Sequence, residues 1–145
     1  MLINNNKKKD DIVGKTILII DHNSQFIDVL IPVLTQLGYN VKSCENAAEA
    51  IQLVEEIIVD LVLSELYLPT LRADKLFSML LRNKPTLICC LMTSAYYNDP
   101  IIKKTIKLKN VKGLIKKPFS FEELNVCIKK AFSFEELNVI KKAFA

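Results

Sequence analysis

Several kinds of sequence feature are rare or missing in this chain of 145 residues, and each absence removes a class of function. Its three glycines, Gly14, Gly38 and Gly113, form neither a G-x-G-x-x-G nor a G-x-x-x-x-G-K-[ST] loop, so the familiar phosphate-binding loops of nucleotide enzymes are absent. One histidine and four cysteines without a C-x-x-C pair do not provide a zinc site. No pairing of a nucleophile with a base is visible, and we do not expect an enzyme.

Apolar segments long enough for a membrane are missing as well. No apolar run approaches the ~20 residues that a membrane-spanning helix needs. Met1-Leu2-Ile3 is followed by asparagines and lysines rather than by the apolar core of a signal peptide. We therefore expect a soluble, cytoplasmic protein that has no membrane partner.

The charge is mild, at a formal net value of +4, and the composition is half hydrophobic and a quarter charged, as in a globular domain. Part of the basic charge is concentrated between residues 103 and 116, in Lys103, Lys104, Lys107, Lys109, Lys112 and Lys116. No aromatic residues interleave these lysines, so nucleic acid is not an expected partner. The basic stretch is either a solvated face or an output surface for an acidic protein.

The cysteines are expected to be reduced residues in or near the core, because nothing in their spacing indicates a disulfide framework: Cys44, Cys89, Cys90 and Cys127. Cys89 and Cys90 are adjacent in an apolar run. Successive side chains of a strand point to opposite faces, so these two should lie on opposite sides of the sheet.

Short apolar segments alternate with segments of helical periodicity. The run Thr16–Ile20 is typical of a strand buried on both faces. Four more short strands follow it, and the first of these is predicted at Tyr39–Ser43. Ser24 is predicted to cap the first helix, and Asn46 and Ser120 to open capping boxes of two later helices. The alternation predicts an α/β fold with a doubly wound, five-stranded parallel sheet and five helices.

Four polar side chains follow the carboxyl ends of predicted strands one, three, four and five: Asp21, Glu65, Ser94 and Lys117. Ligands of doubly wound sheets bind outside the carboxyl ends of the strands. The positions therefore predict a common pocket in which an acid pair, a hydroxyl and a lysine face a phosphate.

The chain is divided by pattern into a disordered tail at residues 1–14, a domain at 15–132 and a duplicated helical segment at 133–145. Residues 120–132, SFEELNVCIKKAF, recur as SFEELNVIKKAFA at 133–145. A shift of thirteen residues turns a helix by about −140°, so the copy would not continue the same buried stripe. The repeat is either a duplication introduced by cloning or a reading-frame event, or a helix that forms a homodimer.

The ordered motifs resemble a response-regulator receiver domain, the CheY-like module of two-component phosphorelays, over about residues 15–132. They are ILIIDH at 17–22, DLVLSE at 60–65 with Pro69, MTSA at 92–95 and KPF at 117–119. Each motif is weak alone, and the four in this order are specific. The resemblance implies the strand order 2-1-3-4-5.

The resemblance also implies a role for each residue of the pocket. Receivers hold Mg²⁺ with an acid pair after strand one and with the carboxylate that ends strand three, which a sensor histidine kinase phosphorylates. Glu65 then stands at the phosphoacceptor position, and Asp21, Glu65 and the backbone carbonyl of Tyr67 are the candidate metal ligands. Ser94 and Lys117 would bind phosphoryl oxygens. The output partner would contact the face made by helix four, strand five and helix five.

Four departures from the family pattern bear on these roles. Glu65 replaces aspartate, and His22 fills the second position of the acid pair. Ala73 stands where a glycine is usual, and Leu114 where the family has an aromatic switch residue. With one oxygen ligand lost, the binding of Mg²⁺ is expected to be weak or absent.

The leading hypothesis is an atypical receiver that acts as a protein-interaction module, weakly regulated or not regulated by phosphorylation. In it, Glu65 imitates the phosphorylated state and pairs with Lys117, although the same pair could be purely structural. One alternative is a functional phosphoacceptor that uses Glu65 and Mg²⁺. An alternative of another class is a small nucleotide- or flavin-binding α/β protein.

Overall fold

The computed structural model describes the backbone of residues 14–144 and the side chains of residues 14–133. Strands and helices alternate along it. The strands are β1 (Thr16–Ile20), β2 (Asn40–Cys44), β3 (Leu61–Glu65), β4 (Ile88–Thr93) and β5 (Val111–Lys116). The helices are α1 (Ser24–Gln36), α2 (Ala47–Glu56), α3 (Ala73–Asn83), α4 (Pro100–Ile106) and α5 (Phe121–Phe144).

All five strands are parallel and lie in the order β2-β1-β3-β4-β5, so the predicted fold class and strand order are confirmed. Alternate side chains of the strands enter two separate cores because the period of a strand is two. Leu18, Val62 and Leu91 pack in the core that contains α2, α3 and α4. The opposite face packs against α1 and α5 through Ile19, Leu63 and Met92.

Four helices, α1, α2, α4 and α5, begin at a side chain that accepts one of their first free amides, whereas α3 begins without such a cap. Asn46 Oδ1 accepts from the Glu49 amide at 2.9 Å, and Ser120 Oγ accepts from the Glu123 amide at 3.0 Å, as predicted. The prediction for α1 was wrong by one residue, since Asn23 is the cap, and Ser24 is already helical. The Asn23 Oδ1 atom reaches the amide of the third helical residue, which is the usual geometry of a cap.

The predicted ends of the chain fall partly outside the described residues, which begin at Gly14. Gly14, the last residue of the predicted tail at 1–14, donates its amide to the carbonyl of Gly38 at 3.1 Å, while residues 1–13 lie outside the described part of the chain. The backbone of α5 runs as one helix across the junction of the repeat at residue 133. The side chains of the second copy are not described, so its predicted exposure stays a prediction. Among the described helices, α5 included, none is both long and apolar enough to cross a bilayer.

Candidate functional site

The carboxyl ends of three strands bring three charged side chains into one pocket. Parallel pairing sets Ile20 beside Ser64, so Asp21 and Glu65 leave the sheet at the same level. Lys117 follows the last residue of β5, and its amide donates to the carbonyl of Thr93 at 2.8 Å. The sheet register therefore assembles the predicted pocket from positions far apart in sequence.

Lys117 joins the two carboxylates. Its Nζ atom donates to Oδ2 of Asp21 at 2.6 Å and also to Oε2 of Glu65. Asp21 is fully buried and Glu65 is 6% exposed, while the Lys117 side chain is 19% exposed. The ammonium also lies 4.3 Å from the centroid of the Phe26 ring, where the π face attracts a cation. One cation thus compensates two sheltered carboxylates, and the ionised cluster has a net charge of minus one.

The other oxygen of Asp21 is engaged by the backbone. Oδ1 accepts from the amide of Asn23 at 2.9 Å, which fixes the turn between β1 and α1. His22 Nδ1 lies 3.8 Å from the same oxygen, and the His22 side chain is 58% exposed. His22 is therefore at the rim of the pocket and can form an ion pair with Asp21 only when it is protonated.

The donor set of the pocket does not fit a tight Mg²⁺ site. Mg²⁺ requires an octahedral shell of oxygen atoms. Two carboxylates are present, one oxygen of each is bonded to Lys117, and a histidine stands where a third acid would be. In the part of the chain that the structure describes, no three or more His, Cys, Asp or Glu side chains are grouped to hold a metal. The Tyr67 carbonyl as a ligand stays a prediction.

Two neighbouring residues with hydroxyl side chains lie at the end of β4, and the structure shows that they differ in exposure. Ser94, the predicted phosphoryl ligand, lies just beyond the strand and is exposed. Thr93 is fully buried, and its Oγ1 accepts from the amide of Ala95 at 3.0 Å. The Thr93 side chain lies on the same face of the sheet as Leu114, which is the face that packs against α2, α3 and α4. Thr93 was not among the predicted site residues, although a hydroxyl at the last position of an apolar run was a signal for it.

Tyr67 connects the loop after β3 to the start of α4. Its hydroxyl donates to Oδ2 of Asp99 at 2.6 Å, and Oδ1 of Asp99 accepts from the Ile101 amide at 2.8 Å as the cap of α4. The hydrogen bond from Tyr67 lowers the pKa of Asp99 and raises the pKa of Tyr67 itself. A side chain beside the pocket is thus coupled to the helix of the predicted output face, a contact with no sequence signal.

The two other departures are accommodated by packing. Ala73 is fully buried at the first position of α3, and its amide donates to the carbonyl of Leu66 at 2.9 Å. Leu114 is partly buried against the core that contains α4. In the register of β4 and β5, Leu114 lies beside Leu91, two residues before Thr93, and its aliphatic side chain has no polar group that could bond the Thr93 hydroxyl.

The basic stretch is largely exposed, since Lys103, Lys104, Lys107 and Lys109 lie on or just after α4 and face solvent. Lys116, at the end of β5, has its Nζ atom 5.0 Å from the ring centroid of Tyr96 and 5.3 Å from that of Tyr97. Both tyrosines are exposed, at 76% and 59%. Sequence reasoning did not include this aromatic pair, which adds two large side chains to the predicted output face.

The comparison with known proteins agrees with this fold. The family model described as the response regulator receiver domain matches residues 17–129. A signal receiver domain of an HD domain-containing protein from Pseudomonas fluorescens Pf-5 is similar, with 24% identity, a TM-score of 0.78, and coverage of 86% of this chain and 91% of that chain. A CheY-like receiver from Methanospirillum hungatei JF-1 has 22% identity, a TM-score of 0.79, and coverage of 86% and 98%.

A longer protein contains the same fold as one part. NtrX from Brucella abortus is 18% identical, with a TM-score of 0.80, and the match covers 92% of this chain and 30% of that chain. At such identities the structural likeness shows the fold alone, while the family model covers most of the sequence. Receiver domains are generally non-enzymatic modules of two-component signalling that act with histidine kinases and output domains. This chain belongs to the response regulator receiver domain family.

Proposed function

We propose that this receiver works as a protein-interaction module that phosphorylation regulates weakly or not at all. The observation that carries the proposal is the Lys117 ammonium, which bonds Asp21 and Glu65 together. In this arrangement Glu65 is a fixed negative charge beside the lysine that would otherwise bind a phosphoryl oxygen. The pocket then holds one conformation through its own side chains.

Two features of the pocket weaken phosphoryl transfer to Glu65. Its side chain is one methylene longer than aspartate, and a displacement of about 1 Å in a reacting group can lower a rate by about a hundredfold. The pocket offers a poor set of donor atoms to a metal ion that would offset the phosphate charge, because His22 replaces an acid. Both features favour a constitutive pocket over a phosphorylated one.

The partner surface of this proposal is the face formed by α4, β5 and α5. Four exposed lysines on or next to α4 give that face a positive charge, which attracts acidic proteins and raises the rate of association. Tyr96 and Tyr97 add exposed aromatic area, a kind of side chain enriched in protein interfaces. A signalling protein with an acidic contact surface, such as a sensor histidine kinase or an output protein, is the proposed partner.

The test is an amide NMR spectrum of the chain with and without Mg²⁺ and beryllofluoride, a phosphoryl mimic. We expect the native spectrum to stay unchanged. Glu65→Gln should by itself move the amide signals around Lys117, because the fixed charge is removed. The exposed acid Glu55 provides a matched control, and Glu55→Gln should leave those signals in place.

The second candidate function, phosphorylation of Glu65, is favoured by the retained Lys117, whose ammonium already bonds the Glu65 carboxylate and could bond a phosphoryl oxygen there. It predicts that acetyl phosphate labels the native chain, that Glu65→Gln abolishes labelling and that Glu65→Asp retains or increases it. Such labelling, or beryllofluoride shifts that spread from Glu65 to α4, would replace the first proposal by the second. Absence of labelling in a folded native sample would remove the second.

A further inference from the structure

Two of the four cysteines meet behind β5. Cys89 and Cys90 point into opposite cores, as their adjacency in a strand predicts. Cys90 lies on the α5 side, where α5 supplies Cys127, and the two thiols are hydrogen-bonded to each other. Cys44 and Cys89 are buried in the other core, and neither is in a disulfide.

The glycine of β5 leaves the space in which these sulfurs lie. A Cβ atom placed on Gly113 would be 2.8 Å from the Cys90 sulfur and 3.0 Å from the Cys127 sulfur. Because the two sulfurs lie 2.8 Å and 3.0 Å from the same point, the distance between them is at most about 5.8 Å. Gly113 does not have the positive φ of Gly14 and Gly38, so the close approach of the two thiols, and not the backbone conformation, is what requires glycine here.

Cys127 is reachable from solvent and Cys90 is not. Cys127 is partly buried and lines a groove of ≈ 600 Å³ between β5 and α5, together with Gly113, Glu123 and Lys130. Cys90 is fully buried behind it. A small solute that enters the groove therefore meets Cys127 first, with Cys90 next to it.

The same contact makes the two thiols chemically different. The hydrogen bond from Cys90 lowers the pKa of Cys127, the charge of Lys130 lowers it further, and burial opposes both. That hydrogen bond and burial raise the pKa of Cys90. Burial also raises the pKa of Cys44, to about 11, and that of Cys89. Since the thiolate is the reactive form, Cys127 is the most nucleophilic of the four.

We propose that Cys127 and Cys90 form an oxidation site that reacts with hydrogen peroxide, with Cys127 as the reacting thiol and Cys90 as the resolving thiol. The Cys127 thiolate attacks one peroxide oxygen, the O–O bond breaks, and the released hydroxide takes a proton to become water. The sulfur of Cys90 then attacks the sulfenic sulfur of Cys127. The S–OH bond breaks, and water leaves with the Cys90 proton. The dithiol loses two electrons, and the peroxide is reduced to water.

The resulting disulfide would link β4 to α5 across β5, inside the proposed partner surface. It would fix the position of α5 over the groove. The site depends only on the thiols and the groove, so it stands or falls independently of the role proposed for Glu65. In a reducing compartment such a bond is transient, which is the usual form of a redox-sensing disulfide.

The test exposes the full native chain to hydrogen peroxide, blocks free thiols in denaturant and maps the peptides by mass spectrometry. We expect a cross-linked pair containing Cys90 and Cys127 and the loss of two hydrogens, with Cys44 and Cys89 still free. Before oxidation, a small maleimide should label Cys127 at least about tenfold faster than Cys44, because each pKa unit above the solution pH lowers the thiolate fraction tenfold.

The cysteine variants separate the two steps. Cys90→Ala should accumulate the sulfenic acid of Cys127, trapped by dimedone, whereas Cys127→Ala should leave Cys90 reduced. Cys89→Ala is the matched control, since it removes the adjacent thiol on the other face, and the cross-link should form as in the native chain. Labelling of Cys127 no faster than that of Cys44, or oxidation of the native chain without the Cys90–Cys127 link, would overturn the proposal.

Discussion

Two clusters of acidic and basic side chains in this receiver contain the same chemical groups but are built differently. In the pocket, Lys117 is 19% exposed and bonds two carboxylates that lie 96 and 52 residues away in sequence. On the surface, the buried carboxylate of Asp74 meets two cations that are 40% and 55% exposed, Arg72 at 3.0 Å and Lys104 at 3.5 Å. In the pocket, two carboxylates share one sheltered cation. In the surface cluster, two exposed cations share one sheltered carboxylate.

This difference determines how much each charged side chain contributes to the stability of the fold. Loss of Lys117 leaves two buried carboxylates close together without compensation, which is the costly way to break a buried ion pair. Loss of either cation at Asp74 leaves the other in place and allows water to reach the carboxylate. We therefore expect the pocket to depend strongly on one residue and the surface cluster to depend weakly on each of its cations.

The largest expected effect is that of Lys117→Met. We expect the free energy of unfolding at neutral pH to fall by about 3 kcal/mol or more, because two carboxylates lose their shared cation. Urea denaturation measures the change. Lys116→Met is the matched control, since Lys116 contacts two exposed tyrosine rings and its loss should cost at most about 1 kcal/mol. Adding Glu65→Gln to Lys117→Met should restore part of the loss, and equal effects of the two lysine variants would contradict the comparison.

Asp74→Asn is expected to cost about 1–2 kcal/mol at neutral pH, because Asp74 also lies in the first turn of α3 near the positive end of the helix dipole. Burial tends to raise the pKa of Asp74, but Arg72 and Lys104 outweigh it and lower the pKa below its ordinary value of 3.8. The stabilisation is thus complete above that value and lost as the pH falls through the lower folded pKa.

The difference in unfolding free energy between the native chain and Asp74→Asn should therefore shrink as the pH is lowered below 3.8. Denaturation series from neutral to acidic pH give this difference. Asp28→Asn, a change of an exposed acid on α1, serves as the control. A difference that grows on acidification would show that the cations do not stabilise the charged form of Asp74.

The two hydroxyls at the end of β4 should also differ. Thr93→Val keeps the shape of the side chain but removes the acceptor for the Ala95 amide, so we expect a loss of about 1 kcal/mol. Ser94→Ala changes an exposed side chain and should stay within about 0.5 kcal/mol of the native chain. Thermal denaturation of both variants measures the two changes in stability. A larger loss of stability for Ser94→Ala than for Thr93→Val would mean that Ser94 makes the structural contact.

The smallest expected effect is that of Lys104→Met, which removes the more distant and more exposed cation of Asp74. Exposed ion pairs contribute at most about 1 kcal/mol, and Arg72 remains, so a change of no more than about 0.5 kcal/mol is expected. Lys103→Met, on the same helix without that contact, is the comparison for urea denaturation. A cost near that of Lys117→Met would remove the distinction between the two clusters.

Much of the fold was predictable because it depends on local pattern. The alternation of apolar runs with amphipathic helices gives the class of fold, and short-range hydrogen bonds give the caps at Asn46 and Ser120. The error at α1 arose because Asn23 and Ser24 are both good caps, and only the backbone conformation decides which side chain meets the free amides. The second strand was placed one residue early for a similar reason, since Tyr39 is buried beside it.

The sequence by itself determined which groups stand at the strand ends, because a carboxylate, a hydroxyl or a lysine after an apolar run is visible in the letters. Only the tertiary structure decided which of them meet. Sheet register brings Lys117 to Asp21 and Glu65, strand length buries Thr93 and exposes Ser94, and helix packing sets Cys127 against Cys90. These contacts depend on distances between residues far apart in the chain, and no local preference of the backbone encodes such distances.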